Sequence, residues 1–195
     1  MYSSTYGDLI VHDHVDDSRL TSTTTEAREH FYRYWAAEFG EPLESAELSE
    51  DFTGLRHHVC PDGSVQISCV GVIRSLAMLV KAHPLAPGTH VDTPMAADTL
   101  LKLRAGQDKD TLIPALLEEA QKLAGTIGFV VSAVRPDANF AYVALASYIN
   151  VKRLTRRVFM ALVRVALYLL GTETLTLTLR QEAPGKSEPM RAFSR

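Results

Sequence analysis

The segment of residues 154–170 constrains the fold most, because it predicts a helix that is apolar around its whole circumference. Apolar residues at three- and four-residue spacing form one side of this helix, and the opposite side also carries apolar residues, namely Met160, Val163 and Leu167. A helix of this kind must be covered on two sides. We expect a sheet to cover one side and a second subunit to cover the other, with these three residues as the homodimer interface. The alternative is that a helical segment at residues 106–125 covers the second side.

Composition places the chain among ordinary globular proteins. It has 195 residues, of which 46% are hydrophobic and 22% charged, and its net charge is −3. These values exclude a collagen, a long coiled coil and a wholly disordered protein. The two cysteines, Cys60 and Cys69, are too few for a disulfide scaffold, so we expect both thiols to be free.

No targeting or membrane segment is evident. The first 17 residues hold four aspartates and no lysine or arginine, the opposite of a secretory signal. The longest apolar run, residues 158–170, has 13 residues and contains Arg164, whereas a membrane span needs about 20. We therefore expect a cytoplasmic protein without a membrane partner.

Three regions are predicted along the chain. Residues 1–24 are acidic and rich in Ser and Thr, which indicates a mobile arm. Residues 25–180 are predicted to form a single α+β domain, and residues 181–195 a disordered tail. The domain begins with an amphipathic helix, for which Thr23 and Glu26 provide a capping box.

A β-hairpin follows, with its turn at Pro61, Asp62 and Gly63. A three-residue loop pairs Val59 with Val65. One face of the hairpin is then mostly apolar and is expected to be buried: Leu55, His57, Val59, Val65, Ile67 and Cys69. The other face is mostly polar: Arg56, His58, Ser64, Gln66 and Ser68.

The remaining elements complete an antiparallel sheet with flanking helices, in the order α-β-β-β-α-β-β-α. They are a third strand at 75–82, helical pieces over 94–125, a second hairpin of 129–134 and 140–149, and the last helix. Strict alternation of Thr and Leu over residues 174–179 predicts an extra C-terminal strand, interpreted as an edge strand of the same sheet.

This order resembles that of the class I type III secretion chaperones and their YbjN-like relatives. The resemblance is carried by four segments and covers residues 26–170: residues 29–40, 54–84 with the Asp62-Gly63 turn, 95–103, and 128–170. The helical piece at 106–125, the strand near 174–180 and the long N-terminal arm depart from the family pattern.

The resemblance implies a non-enzymatic chaperone or adaptor, without a cofactor, that forms a homodimer and holds an extended segment of a secreted effector polypeptide. An open antiparallel sheet suits this role, because its edges accept an added strand. We assign partner binding to four apolar residues of the first hairpin: Leu55, Val59, Val65 and Ile67.

His12 and His14 suggest an alternative, a metal-dependent hydrolase. In a strand the two side chains would point to the same side, as the first ligands of many metal hydrolases do. His57, His83 and His90 offer further ligands, but none has a diagnostic spacing. We therefore favour a solvated acidic arm, predict no metal, and interpret His57 as a core residue. No catalytic motif is present, and no catalytic residue is assigned.

Basic residues crowd the start of the last helix: Lys152, Arg153, Arg156 and Arg157. From residue 150 onward the chain holds nine Lys and Arg against three Asp and Glu. This cluster suggests a third function, a nucleic-acid-associated regulator. We favour a solvated cluster paired with acidic groups elsewhere, because the aromatic residues of single-strand binders are absent from it. Nucleic acid is therefore not the expected partner.

Overall fold

The computed structural model describes residues 2–14, 17–40, 51–81, 83, 90–104, 114–150 and 152–180. The chain divides into two compact units, Met1–Leu55 and Arg56–Arg195, where the sequence predicted one domain over residues 25–180. The tail at residues 181–195 lies outside the described residues.

The first unit is a three-stranded antiparallel meander with one helix. Its elements are β1 (Tyr2–Ser4), β2 (Gly7–His14), β3 (Asp17–Ser22), α1 (Thr25–Phe39) and the short strand β4 (Asp51–Phe52). Strands thus occupy most of the segment that was interpreted as an arm. Leu9 of β2 and Ala27 of α1 are fully buried, which places the core of this unit between the meander and the helix.

A tight connection joins this meander to α1. Thr24, rather than the predicted Thr23, caps the helix: its Oγ1 accepts a hydrogen bond from Ala27 N at 3.1 Å and donates one to Tyr6 O at 2.6 Å. Gly7 has a φ of +130°, and a Cβ there would lie 2.7 Å from Thr23 Oγ1. Only glycine fits this close approach of the two strands.

The second unit combines a small sheet with helices. Its strands are β5 (Leu55–Val59), β6 (Val65–Ser68) and β7 (Leu177–Leu179), and the sheet, in which β4 is the other terminal strand, has the order β4-β5-β6-β7. Its helices are α2 (Val70–Val80), α3 (Thr99–Arg104), α4 (Leu117–Ala133), α5 (Asn139–Ala146) and α6 (Arg156–Gly171), with short 3-10 helices at Pro114–Leu116 and Pro136–Ala138. The α+β class and the extra C-terminal strand are confirmed.

The predicted order of elements is wrong after the first hairpin. Residues 75–82, expected to be a strand, lie mostly within α2, and the expected hairpin of residues 129–134 and 140–149 is replaced by the end of α4 and by α5. The buried positions explain the difference. In α2 they are Ile73, Leu76 and Val80, at the three- and four-residue spacing of a helix.

Helix α6 lies at the centre of the second unit and packs against α2, α4 and α5. It begins after Thr155, whose Oγ1 accepts a hydrogen bond from Val158 N at 3.4 Å. Val163 is 0% exposed and Leu167 is buried as well. The second apolar side of α6 is therefore covered within one chain, and α4, which begins in the 106–125 segment, is one of the helices that cover it.

Candidate functional site

Strand β6 lies between β5 and β7, and both neighbours are antiparallel to it. Val59 pairs with Val65 and His57 with Ile67, so the predicted register of the first hairpin is confirmed. On the other side, Val65 pairs with Leu179 and Ile67 with Leu177. The C-terminal strand therefore joins the predicted hairpin directly.

The turn between β5 and β6 fixes this register. Gly63 N donates to Cys60 O at 2.9 Å, and Gly63 has a φ of +79°, which glycine adopts without strain. Asp62 Oδ1 accepts hydrogen bonds from Ser64 N at 2.9 Å and from Ser64 Oγ at 2.6 Å. The bond from the Ser64 hydroxyl is the main reason that the pKa of Asp62 is lowered. Asp62 and Ser64 thus hold the turn closed through this hydrogen bond.

Five apolar side chains share one face of the sheet, which we call the apolar sheet face: Val59, Val65, Ile67, Leu177 and Leu179. They share it because directly paired residues of antiparallel strands lie on the same side, and side chains alternate along each strand. Leu55 belongs to the same face by alternation along β5 and is half-buried.

The apolar sheet face is only partly covered, because Val65, Ile67 and Leu177 are half-buried. Val59 is 59% exposed and Leu179 is 51% exposed, although they stand on either side of Val65 in one cross-strand row. On the opposite face, Ser64 and Ser68 are buried. The prediction that the apolar face of the hairpin would be buried is therefore wrong at Val59, whereas Cys69 on the same predicted face is buried.

The sheet also ends in an open strand. β7 is the terminal strand of its sheet within the described part of the chain, and it is only three residues long. Leu175, just before it, is exposed too. A terminal strand presents backbone N–H and C=O groups that can pair with another extended chain. The apolar sheet face and this edge meet at Leu177 and Leu179.

The structure brings together three of the four residues predicted to bind a partner, Val59, Val65 and Ile67, and the fourth, Leu55, is the first residue of β5. It adds Leu177 and Leu179, which were not assigned to the site. The alternation of Thr and Leu indicated a strand there, but no local pattern specified that it pairs with β6. Of the predicted dimer residues, Met160 is half-buried, whereas Val163 and Leu167 are buried within one chain.

A buried polar cluster lies elsewhere in the second unit, around Arg135. Its guanidinium donates to Asp137 through Nε at 2.9 Å and through one terminal nitrogen at 2.7 Å, and to Thr172 O at 3.0 Å. Tyr168 donates its hydroxyl to the same carboxylate at 2.7 Å. These bonds, that of Arg135 first, hold the pKa of Asp137 below its ordinary value. The cluster joins the α4–α5 connection to the end of α6. We therefore assign it a structural role.

The buried thiol of Cys69 shows no sign of reactivity. Burial raises its pKa to about 11, although the charge of Arg135 acts in the opposite direction. At neutral pH such a thiol stays protonated, and the thiolate is the nucleophilic form. Cys69 and Cys60 are both free, as predicted.

Two histidines of the metal hypothesis, His83 and His90, have other partners. His83 bonds to Glu119 at 2.8 Å, with its ring against Phe159, and His90 bonds to Asp92 at 2.6 Å. Within the ranges that the structure describes, no three His, Cys, Asp or Glu side chains converge in a way that suits a metal ion. The side chains of His12 and His14 lie outside the described residues, and both positions fall in β2.

Comparison of the chain with protein-family models, with curated proteins and with solved structures finds no match. Among the described residues, no helix combines the length and the apolar character that crossing a membrane requires.

Proposed function

We propose that the chain is a non-enzymatic adaptor or chaperone that binds an extended segment of another polypeptide at β7 and the adjoining apolar sheet face. The observation that carries this proposal is the exposure of Val59 and Leu179 in a single cross-strand row beside an open strand. Apolar side chains that share one face of a sheet edge and remain in water are typical of a binding surface.

Strand addition uses both features of the site. Backbone groups of β7 would pair with the incoming segment, and every second side chain of that segment would lie beside Leu177 and Leu179. The expected specificity is therefore modest: a segment that alternates apolar and polar residues and lacks proline at the paired positions.

The size of the surface predicts weak binding. Full burial of one Val or Leu side chain contributes about 1.5–3 kcal/mol, and Val59 and Leu179 are each about half exposed before binding. Backbone hydrogen bonds add about 0.5–1.5 kcal/mol each. Because association itself costs at least about 4 kcal/mol, we expect Kd values in the micromolar range or weaker.

The resemblance to type III secretion chaperones supplies the kind of client that we propose: the extended segment of a secreted effector, bound in the cytoplasm before export. A homodimer remains part of this proposal, but its interface would have to use surfaces other than Val163 and Leu167.

The test is selection from a displayed library of random 12-residue peptides, followed by titration of the enriched peptides. The variant is Leu179→Asp, and the matched control is Thr178→Asp, on the same strand but on the opposite face. Enriched peptides should alternate apolar and polar residues. Leu179→Asp should weaken their binding at least tenfold, and Thr178→Asp should weaken it less.

Two results would contradict the proposal. One is the absence of any enriched peptide pattern. The other is equal loss of binding in both variants, which would show that charge on β7, rather than the apolar sheet face, determines the effect. Circular dichroism of both variants establishes that each is folded.

A further inference from the structure

A second surface of the same unit has a different chemistry. Lys152, Arg153 and Arg156 are exposed and lie just before and at the start of α6; we call them the cationic cluster. No carboxylate among the described residues forms an ion pair with any of the three. The sequence-based expectation that acidic groups neutralise the basic residues therefore finds no support at these three positions.

Arg157 differs from its neighbours, and we leave it out of the cationic cluster. It is half-buried, and its charge contributes to the lowered pKa of Asp98, for which the hydrogen bond from Lys102 is the larger cause. The acidic group nearest to this end of α6 is thus already engaged by Lys102 and Arg157.

The position of the cationic cluster does not stabilise the fold. The first turn of a helix carries the positive end of its dipole, where a cation is unfavourable by some tenths of a kcal/mol. Three unpaired cations before and at this turn also repel one another. A chain selected only for stability would gain from acidic residues at these positions.

The backbone beneath the cationic cluster is well held. Asn150 donates its side-chain amide to Ser147 O at 3.2 Å and accepts from Lys152 N at 3.1 Å. Leu154 is buried, and Thr155 caps α6. These contacts anchor the described residues next to the cations, which lowers the entropic cost of binding a ligand.

An aromatic ring completes this surface. The guanidinium of Arg153 lies over one face of the Tyr148 ring, with its carbon 6.0 Å from the ring centre, and the ring is half-buried. This neighbour was not predicted, because Tyr148 was assigned to a strand, whereas it lies in the turn that follows α5. An aromatic ring beside cations that lack a carboxylate partner, one of them already against the ring, is the combination by which proteins bind single-stranded nucleic acids.

We propose that the cationic cluster and Tyr148 form a binding surface for single-stranded nucleic acid. Lys152, Arg153 and Arg156 contact phosphates, and Tyr148 stacks on a base. An acidic peptide would satisfy the charges, but its carboxylates offer no planar ring to Tyr148, whereas every nucleotide carries a base beside its phosphate. This surface and the apolar sheet face consist of different residues. A negative result in the nucleic-acid experiment therefore leaves the peptide-binding proposal unaffected, and the reverse also holds.

The number of cations sets the expected dependence on salt. Each phosphate neutralised on a single strand contributes about −0.7 to the slope of log K against log salt concentration, so three contacts give about −2. A rise from about 50 to 200 mM salt should therefore weaken binding about 20-fold. Loss of stacking on Tyr148 should weaken it at least about fivefold without changing the slope.

The experiment titrates the full chain into a fluorescein-labelled, mixed-sequence single-stranded DNA of 12 nucleotides and the corresponding RNA. The test variant is Arg153→Glu/Arg156→Glu. Its control is Arg28→Glu/Arg33→Glu, which changes the net charge equally on exposed positions of α1. Tyr148→Leu tests stacking, and polyglutamate serves as a competitor. Circular dichroism verifies that each variant is folded.

Binding with a slope near −2, lost in the test variant, kept in the control and weakened by Tyr148→Leu, supports the proposal. No binding at 50 mM salt, or equal binding by test variant and control, overturns it. Displacement of the oligonucleotide by a lower concentration of polyglutamate also overturns it, because the surface would then prefer an acidic polypeptide.

Discussion

Removal of the Asp137 carboxylate should leave a charge buried without its counterion. The side chain of Arg135 is 2% exposed, and that of Asp137 is 38% exposed. In Asp137→Ala, the guanidinium loses two hydrogen bonds and keeps those to Thr172 O and Oγ1. Tyr168 loses the acceptor of its hydroxyl at the same time. The second unit should therefore be strongly destabilised.

The expected loss follows from the burial of the two partners. Breaking a buried ion pair costs about 3–5 kcal/mol, because the remaining charge is uncompensated. Water reaches the Asp137 side of the pair, so we expect the lower end, about 3 kcal/mol. For a unit of this size, that loss lowers Tm by roughly 6–12 °C. Arg135→Met removes the buried charge itself and should cost less, about 1–2 kcal/mol.

Urea unfolding, followed by far-ultraviolet circular dichroism, measures these differences. The helices of the second unit dominate this signal, whereas the single tryptophan, Trp35, reports on the first unit. The double variant Arg135→Met/Asp137→Ala should be more stable than Asp137→Ala alone. Additive losses in the double variant, or a loss below about 1 kcal/mol in Asp137→Ala, would refute the reasoning.

The same pair predicts a dependence on pH. The pKa of Asp137 is lowered in the folded state from its ordinary value of 3.8, chiefly by the hydrogen bonds of Arg135. Its contribution to stability is thus complete above that value and is lost as the pH falls through the lower, folded-state pKa. The difference in stability between the unmodified chain and Asp137→Ala should be constant near neutral pH and should shrink below pH 3.8.

Two further predictions concern packing in the second unit. Gly125→Ala, where an added Cβ meets nothing within 4 Å, should stabilise α4 by up to about 1 kcal/mol. Gly128→Ala, where it would lie 2.5 Å from Tyr142 Oη, should fail to stabilise and should lie about 1–2 kcal/mol below Gly125→Ala in urea unfolding; equal values would contradict this. Val163→Asp should unfold the chain rather than give a folded monomer, because Val163 is 0% exposed in one chain; sedimentation and circular dichroism distinguish the outcomes.

The first hairpin could be predicted to the residue, because its information is local. Pro61, Asp62 and Gly63 specify the turn, and the turn specifies which residues of β5 and β6 pair. The helices were harder to assign. Residues 129–134 are rich in Val and Phe, which favours a strand, yet Ile127, Val130 and Val134 are buried at helical spacing against the rest of the unit. Tertiary packing overrides a local preference of this size.

The open sheet face could not be predicted, because alternation shows only that a strand has two unlike faces. Which face the chain covers depends on the other elements. The last helix was expected to cover the sheet, but α2, α4 and α5 surround it instead. The helices therefore bury their apolar residues against one another without contributions from Val59 and Leu179, which remain exposed to water. Residues that the core does not use can change at little cost, so Leu179→Asp should lower stability by less than about 1 kcal/mol while it weakens peptide binding at least tenfold. A stability loss as large as that of a core substitution would instead show that the apolar sheet face belongs to the core.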